Sequence, residues 1–235
     1  MSLGVTTTGE PRALALGGLD GAADGPVVHL GAGGESADVV WREGTAEGGE
    51  RPRLIAQAGE GLWRCAPWPV RDELFEVASP VERNVLVVGD SPHRHKVSEW
   101  LDKLDGRLLE ADVLERRDLE EAAVVVFAQP DGRPLPAPAF AVLAARRILV
   151  VRKPSVSFGL LPGIDHLSAR TGAGAAQLAA AAVLHWDAFE AVRAFGAIAA
   201  EPHRASTVYA RLADDLELAA SNERAATLAP GEPWS

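Results

Sequence analysis

One cysteine, Cys65, is all that the 235 residues contain. That excludes an internal disulfide and a cysteine-built metal centre. Between Arg64 and Trp63 on one side and Ala66 on the other, it reads as a passive thiol, because no histidine stands at a telling distance. Long apolar runs are missing too. None approaches the roughly 20 residues of a spanning helix, so no membrane span is expected. The opening MSLGVTTTGEPRALALGG lacks a basic start followed by a long apolar run. No secretion signal is therefore expected, and the cytoplasm is the expected compartment. Nor is there a surplus of basic charge. A formal net charge of -10 argues against a general nucleic-acid binder, which needs a basic surface. The dinucleotide fingerprint is also absent. In HLGAGGESAD, Gly31, Gly33 and Gly34 miss the G-x-G-x-x-G spacing and no long helix follows, so a β-turn is the simpler reading and an NAD(P)-linked enzyme is disfavoured. His93 and His95 have no third partner at a telling spacing, and no metal is expected. No internal repeat is found.

What remains is ordinary globular material. Hydrophobic residues make up 47% and charged ones 24%, which suits one large domain or two small ones. Residues 1–11 are expected to be disordered. From 12 to 65, short apolar runs such as RALALGG, GPVVHLG, ADVVWREG and RPRLIAQAG alternate with Gly, Pro and Asp, as strands and turns do. This stretch reads as a small N-terminal β or α/β subdomain. The proline-containing segment 66–84 reads as a linker. Residues 85–220 form a second, regular unit, and 221–235, without periodic pattern, a disordered tail.

In the second unit strands and helices alternate. VLVVG is a strand and HKVSEWLDKL a helix. RLLEADV is a short strand, ERRDLEEA a short helix, and AVVVFAQP a buried strand. PAPAFAVLAAR is a helix that runs into the strand RILVV. Apolar runs without alternation fit strands covered on both faces. The order implies an α/β fold: a Rossmann-like parallel sheet with right-handed crossovers. The Ala-rich tail has helical spacing, with a helix start expected at Asp187 and a break at Pro202.

Two polar stretches follow strand ends, where open parallel sheets bind ligands. GDSPHRHK offers Gly89, Ser91, Arg94 and Lys96 beside a helix start, an arrangement that favours anions. The alternative is a solvated turn. RKPSVSFGLLPGIDHLSARTGAG offers Arg152, Lys153 and Ser155 for a pyrophosphate, and Gly159 where a backbone can approach closely. Asp165 and His166 are further candidates. GIDHL reads as a short strand, or more simply as a turn with a capping carboxylate. On a strand, neighbours point to opposite faces, which argues against a dyad. His185, Trp186, His203 and Arg204 read as caps or packing residues, and Trp63 and Trp68 as domain packing.

Taken together these pieces resemble the nucleotide-binding C-terminal half of GT-B glycosyltransferases, of the group 1, family 4-like kind. The resemblance spans roughly Ala66 to Leu216. PWPVRDELFEVASPVERNVLVVG is similar to the interdomain linker and first strand. VVGDSP is similar to the strand-end glycine turn. DLEEAAVVVFAQP and AFAVLAARRILVV are similar to the elements on either side of the donor loop. The family's ribose-binding glutamate, the sugar-holding glutamate eight positions earlier, and the glycine before the strand match Ala141, Arg133 and Arg146. The resemblance implies a glycosyltransferase-like protein. It would bind a nucleotide sugar or another nucleotide diphosphate as substrate, need no cofactor or metal, and transfer a sugar if active. The alternative is a non-catalytic scaffold or interaction protein, working with a protein partner or as a homo-oligomer.

Overall fold

The computed structural model describes residues 4–7, 27–30, 39–44, 53–58, 62–66, 69–102, 108–130, 135–136, 138–152, 159–208 and 210–211. They belong to two compact units: Met1–Arg71 with Pro202–Ser235, and Asp72–Glu201.

Among its described residues the first unit has five strands: β1 (Gly4–Thr7), β2 (Val27–Leu30), β3 (Val39–Gly44), β4 (Arg53–Ala58) and β5 (Leu62–Ala66). They lie in the order of the sequence. The first three are mutually parallel, and the last two continue the sheet antiparallel. β1 falls inside the 1–11 stretch expected to be disordered. Its Val5, Thr6 and Thr7 are β-branched, and they favour a pleated strand. The chain also returns to this unit after Pro202. The Val70 N–H donates to the His203 carbonyl at 2.7 Å, and the Ala205 N–H donates to Val70 at 2.8 Å. Val70, within the segment read as a linker, forms an isolated bridge with Arg204 in the first unit, and the two compact units divide at 71/72 and 201/202. The expected tail, 221–235, lies outside the described residues.

The second unit runs β6 (Asn84–Val88), α1 (Ser91–Asp102), β7 (Leu108–Ala111), α2 (Arg116–Glu121), β8 (Ala122–Phe127), α3 (Ala139–Ala144), β9 (Ile148–Arg152), β10 (Leu167–Ala169), α4 (Gly172–Leu184) and α5 (Glu190–Ala200). Its sheet has the order β10-β9-β8-β6-β7, and every pair is parallel. This is a Rossmann-like, doubly wound sheet. β6, β8 and all but the last residue of β9 are buried. Val85, Val87, Val124, Val126, Ile148 and Val150 share one core with Val97 and Leu101 of α1 and with Ala175, Ala176, Ala179 and Ala182 of α4. Alternate residues turn to the opposite face, where α3 packs on β9 and α5 packs on α3. Burying each Val or Ile side chain contributes about 1.5–3 kcal/mol, so two-faced burial explains the unbroken apolar runs. Helix α5 starts at Glu190. Asp187, expected at the helix start, sits in the preceding 3-10 turn, and Pro202 falls in a second such turn.

The α3–β9 junction is a Schellman cap. The Arg146 N–H donates to Leu143 at 2.9 Å and the Arg147 N–H to Val142 at 3.0 Å. Arg146 takes φ +54°, the left-handed conformation usual for glycine at this place. The next residue, Arg147, is only 2% exposed. Its Nε donates to the Leu119 carbonyl at 2.7 Å and its Nη2 to Ala78 at 2.5 Å. These bonds tie the start of β9 to α2 and to the segment before β6. Burial pushes the Arg147 guanidinium down to about 10, and the Arg193 charge adds to this.

Candidate functional site at the carboxyl edge of the sheet

In a doubly wound sheet the chain leaves the first strand in one direction and later returns to its other side. β7 and β8 flank β6 in this way. The topological switch point, where such sheets bind ligands, therefore lies at the carboxyl ends of β6 and β8.

Gly89 occupies that point. It has φ +142°, and a Cβ there would stand 2.4 Å from the Ala128 carbonyl oxygen, so only glycine fits. The two strand ends are zipped together: Ala128 N–H donates to Val88 at 2.8 Å, and Gly89 N–H donates to Ala111 at 3.2 Å. The Gly89 N–H is thus engaged with β7. Ser91 opens α1, four residues before the expected start. Asp90 accepts from the His93 and Arg94 N–H groups, both at 3.0 Å. Pro92 suits the first turn because its missing N–H would have no helical partner there. Lys96 is exposed on α1.

Arg94 is held within the protein. Its Nη1 donates to the Gly89 carbonyl at 3.1 Å and to the Asp112 carboxylate. Its Nε lies 3.5 Å from Glu110. Glu110 also accepts from the Ser98 hydroxyl. The hydrogen bond that Arg94 donates to Asp112 raises the Arg94 pKa above its ordinary value; desolvation opposes this, and the charges of Asp112 and Glu110 reinforce it. Glu110 and Asp112 stand at the end of β7 and just past it. Their part at this edge was not read from the sequence, because it depends on pairing two elements 18 residues apart.

Arg152 ends β9 on the same edge. Its Nη1 lies 3.5 Å from the Gln129 carbonyl, beyond the end of β8. The strands β6, β8 and β9 are neighbours at about 4.8 Å spacing, so Gly89 and Arg152 stand roughly 10 Å apart along the rim. Lys153 and Ser155 lie outside the described residues. Gly159 is exposed in a turn with φ +86°. A feature missed from the sequence lies next along the rim. Ala169 pairs with Arg152, and Thr171 then caps α4, its hydroxyl accepting from the Gly174 N–H at 3.0 Å. The signal was present: T-G-A-G between a short apolar stretch and a long Ala-rich one.

Asp165 and His166 are elsewhere. They lie in a turn that precedes β10, which begins only at Leu167. Because Leu167 pairs with Val150, His166 sits three residues, about 10 Å of extended chain, back from the rim. The opposite-face expectation for a strand does not hold in the turn. Asp165 Oδ1 and His166 Nδ1 are 2.7 Å apart, and Asp165 Oδ2 accepts from the Leu161 N–H at 2.8 Å. His166 is fully buried, and its Nε2 has no hydrogen-bond partner. Ala141 is buried in α3, and Arg133 lies outside the described residues. Among the described residues no three His, Cys, Asp or Glu side chains gather to hold a metal ion. No helix among them is long and apolar enough to cross a membrane.

This sheet defines the second unit as an α/β, Rossmann-like one. No protein-family model and no curated protein matches the sequence. Among solved structures, the chain is similar to the C-terminal domain of a group 1 family glycosyl transferase (LpcC) from Francisella tularensis. The identity is 6% and the TM-score 0.39, over 57% of this chain and 92% of that one. It is also similar to the pneumococcal O-GlcNAc transferase GtfA, solved with UDP and GlcNAc. There the identity is 11% and the TM-score 0.44, over 84% of this chain and 53% of the transferase. The chain thus spans about half the length of that second relative.

Proposed function

We propose that the carboxyl rim of the second unit binds a nucleoside diphosphate, as the activated half of a nucleotide sugar, in a glycosyltransferase-like protein. The carrying observation is one edge that presents Gly89 at the switch point and Arg152 two strands away. Arginine meets phosphate oxygens through two parallel hydrogen bonds, and Lys153 and Ser155 follow within three residues of Arg152 in the chain. The start of α4, capped by Thr171, adds backbone N–H groups beside Arg152. If sugar transfer occurs, the basic groups neutralise the departing diphosphate, which is electrostatic catalysis without a metal.

The alternative reading is a non-catalytic scaffold, and it turns on the position that the resemblance matches to the ribose-binding glutamate. Ala141 is 1% exposed inside α3, so a ribose-binding carboxylate has neither side chain nor space at that position. A non-catalytic scaffold that keeps the nucleotide seat fits this.

Thermal-shift measurements with UDP, GDP and ADP sugars beside NAD test the proposal. A ligand that binds only the folded protein raises the Tm. The expected result is a rise with one diphosphate nucleotide that is lost when Arg152→Ala is combined with Lys153→Ala. No rise with any of them overturns it. Release of free nucleotide in the presence of acceptor sugars separates the two readings.

A further inference from the structure

We propose that Asp112 is a built-in competitor at the anion seat, holding Arg94 so that only a highly charged phosphate ligand displaces it. The inference rests on the nucleotide reading above and names the control of that site. Three observations carry it. The Arg94 side chain is 13% exposed while its partner Asp112 is 80% exposed, so the carboxylate sits on the solvent side of the guanidinium. The same Nη1 that meets Asp112 also meets the Gly89 carbonyl, which places the guanidinium against the switch-point turn. A second carboxylate, Glu110, lies 3.5 Å from Nε and is itself held by the Ser98 hydroxyl, so it stays with Arg94 when Asp112 leaves.

The electrostatics follow. Arg94 carries one positive charge and faces two carboxylates, so its surroundings repel anions as long as Asp112 remains ionised. An ion pair with one well-hydrated partner is weak and exchangeable. A diphosphate brings more negative charge and two-point geometry to the guanidinium, and it can replace Asp112 where a monoanion cannot. Asp112 therefore sets a charge threshold at the rim: diphosphates are admitted and singly charged anions are rejected.

Isothermal titration calorimetry with UDP, GDP, ADP and inorganic pyrophosphate tests this on the whole chain, using wild type, Asp112→Asn, Arg94→Gln and the double variant. Because Asp112 is mostly solvent-exposed, its amide replacement should leave the melting temperature nearly unchanged, and circular dichroism checks this. The expected result is about tenfold tighter binding of the responding diphosphate to Asp112→Asn, the size of one like-charge repulsion near a protein surface. The gain should vanish in the double variant. Binding by Asp112→Asn where wild type shows none supports the proposal as well. If wild type binds and Asp112→Asn binds equally or more weakly, the competitor role is overturned and the nucleotide site stands. If neither protein binds any of the four probes, both fall.

Discussion

Gly89 and Arg146 both close turns with positive φ, at +142° and +54°, yet one is glycine and the other a long cationic residue. The β6–α1 turn must also pass the β8 end. There a Cβ would overlap the Ala128 carbonyl oxygen, so the space excludes any side chain. The α3–β9 turn requires only the left-handed conformation, and the exposed Arg146 side chain points away from the crowding. Conformational strain by itself costs about 1–2 kcal/mol and can be tolerated. A backbone overlap cannot. At the α3–β9 turn an arginine thus holds the left-handed backbone that glycine usually supplies. At the switch point the Ala128 carbonyl leaves room for glycine alone.

Four substitutions break or sharpen that comparison. Gly89→Ala should have the largest effect, about 3 kcal/mol or more of lost stability, because it adds overlap to strain. A large fall in the urea midpoint reports it, and an unchanged midpoint would show the two turns to be equivalent. Arg147→Met comes next. It leaves the Leu119 and Ala78 carbonyls without their donor while also removing a buried charge, for a net loss of about 2 kcal/mol by the same measurement. Arg146→Gly should act in the opposite direction and raise stability by about 0.5–1 kcal/mol, since relief of strain outweighs the added chain entropy. A loss there would mean that the Arg146 side chain contributes more than its conformation costs. Arg146→Asn should be the mildest, a gain of a few tenths of a kcal/mol, because asparagine visits this region more readily. Its Tm should fall between those of wild type and Arg146→Gly.

The second unit's layout was legible because VLVV, AVVVF and ILVV are buried on both faces, and such runs carry their own signature. The helix boundaries were less so. α1 begins at Ser91 because the Asp90 carbonyl starts the ladder ahead of the histidines, and the apolar periodicity that marks a helix appears only from Val97. Asp165 and His166 show a different limit. Adjacency argues against contact on a strand, but the strand starts one residue later, and the turn lets both side chains meet. The Arg94–Asp112 pair was invisible for a third reason. It forms only when β7 lies beside β6, a register that two separate short segments do not announce. The return of the chain from Pro202 to Val70 is hidden in the same way.

Backbone amide NMR during titration of UDP, GDP and ADP tests the carboxyl-rim site most directly. One of the three should shift the signals of Gly89, Gln129, Arg152 and Gly172 together, in a saturable way, with little change at Asp165, His166 or Arg147. Shifts concentrated at that second group, or none with any of the three nucleotides, would contradict a nucleotide seat at this edge.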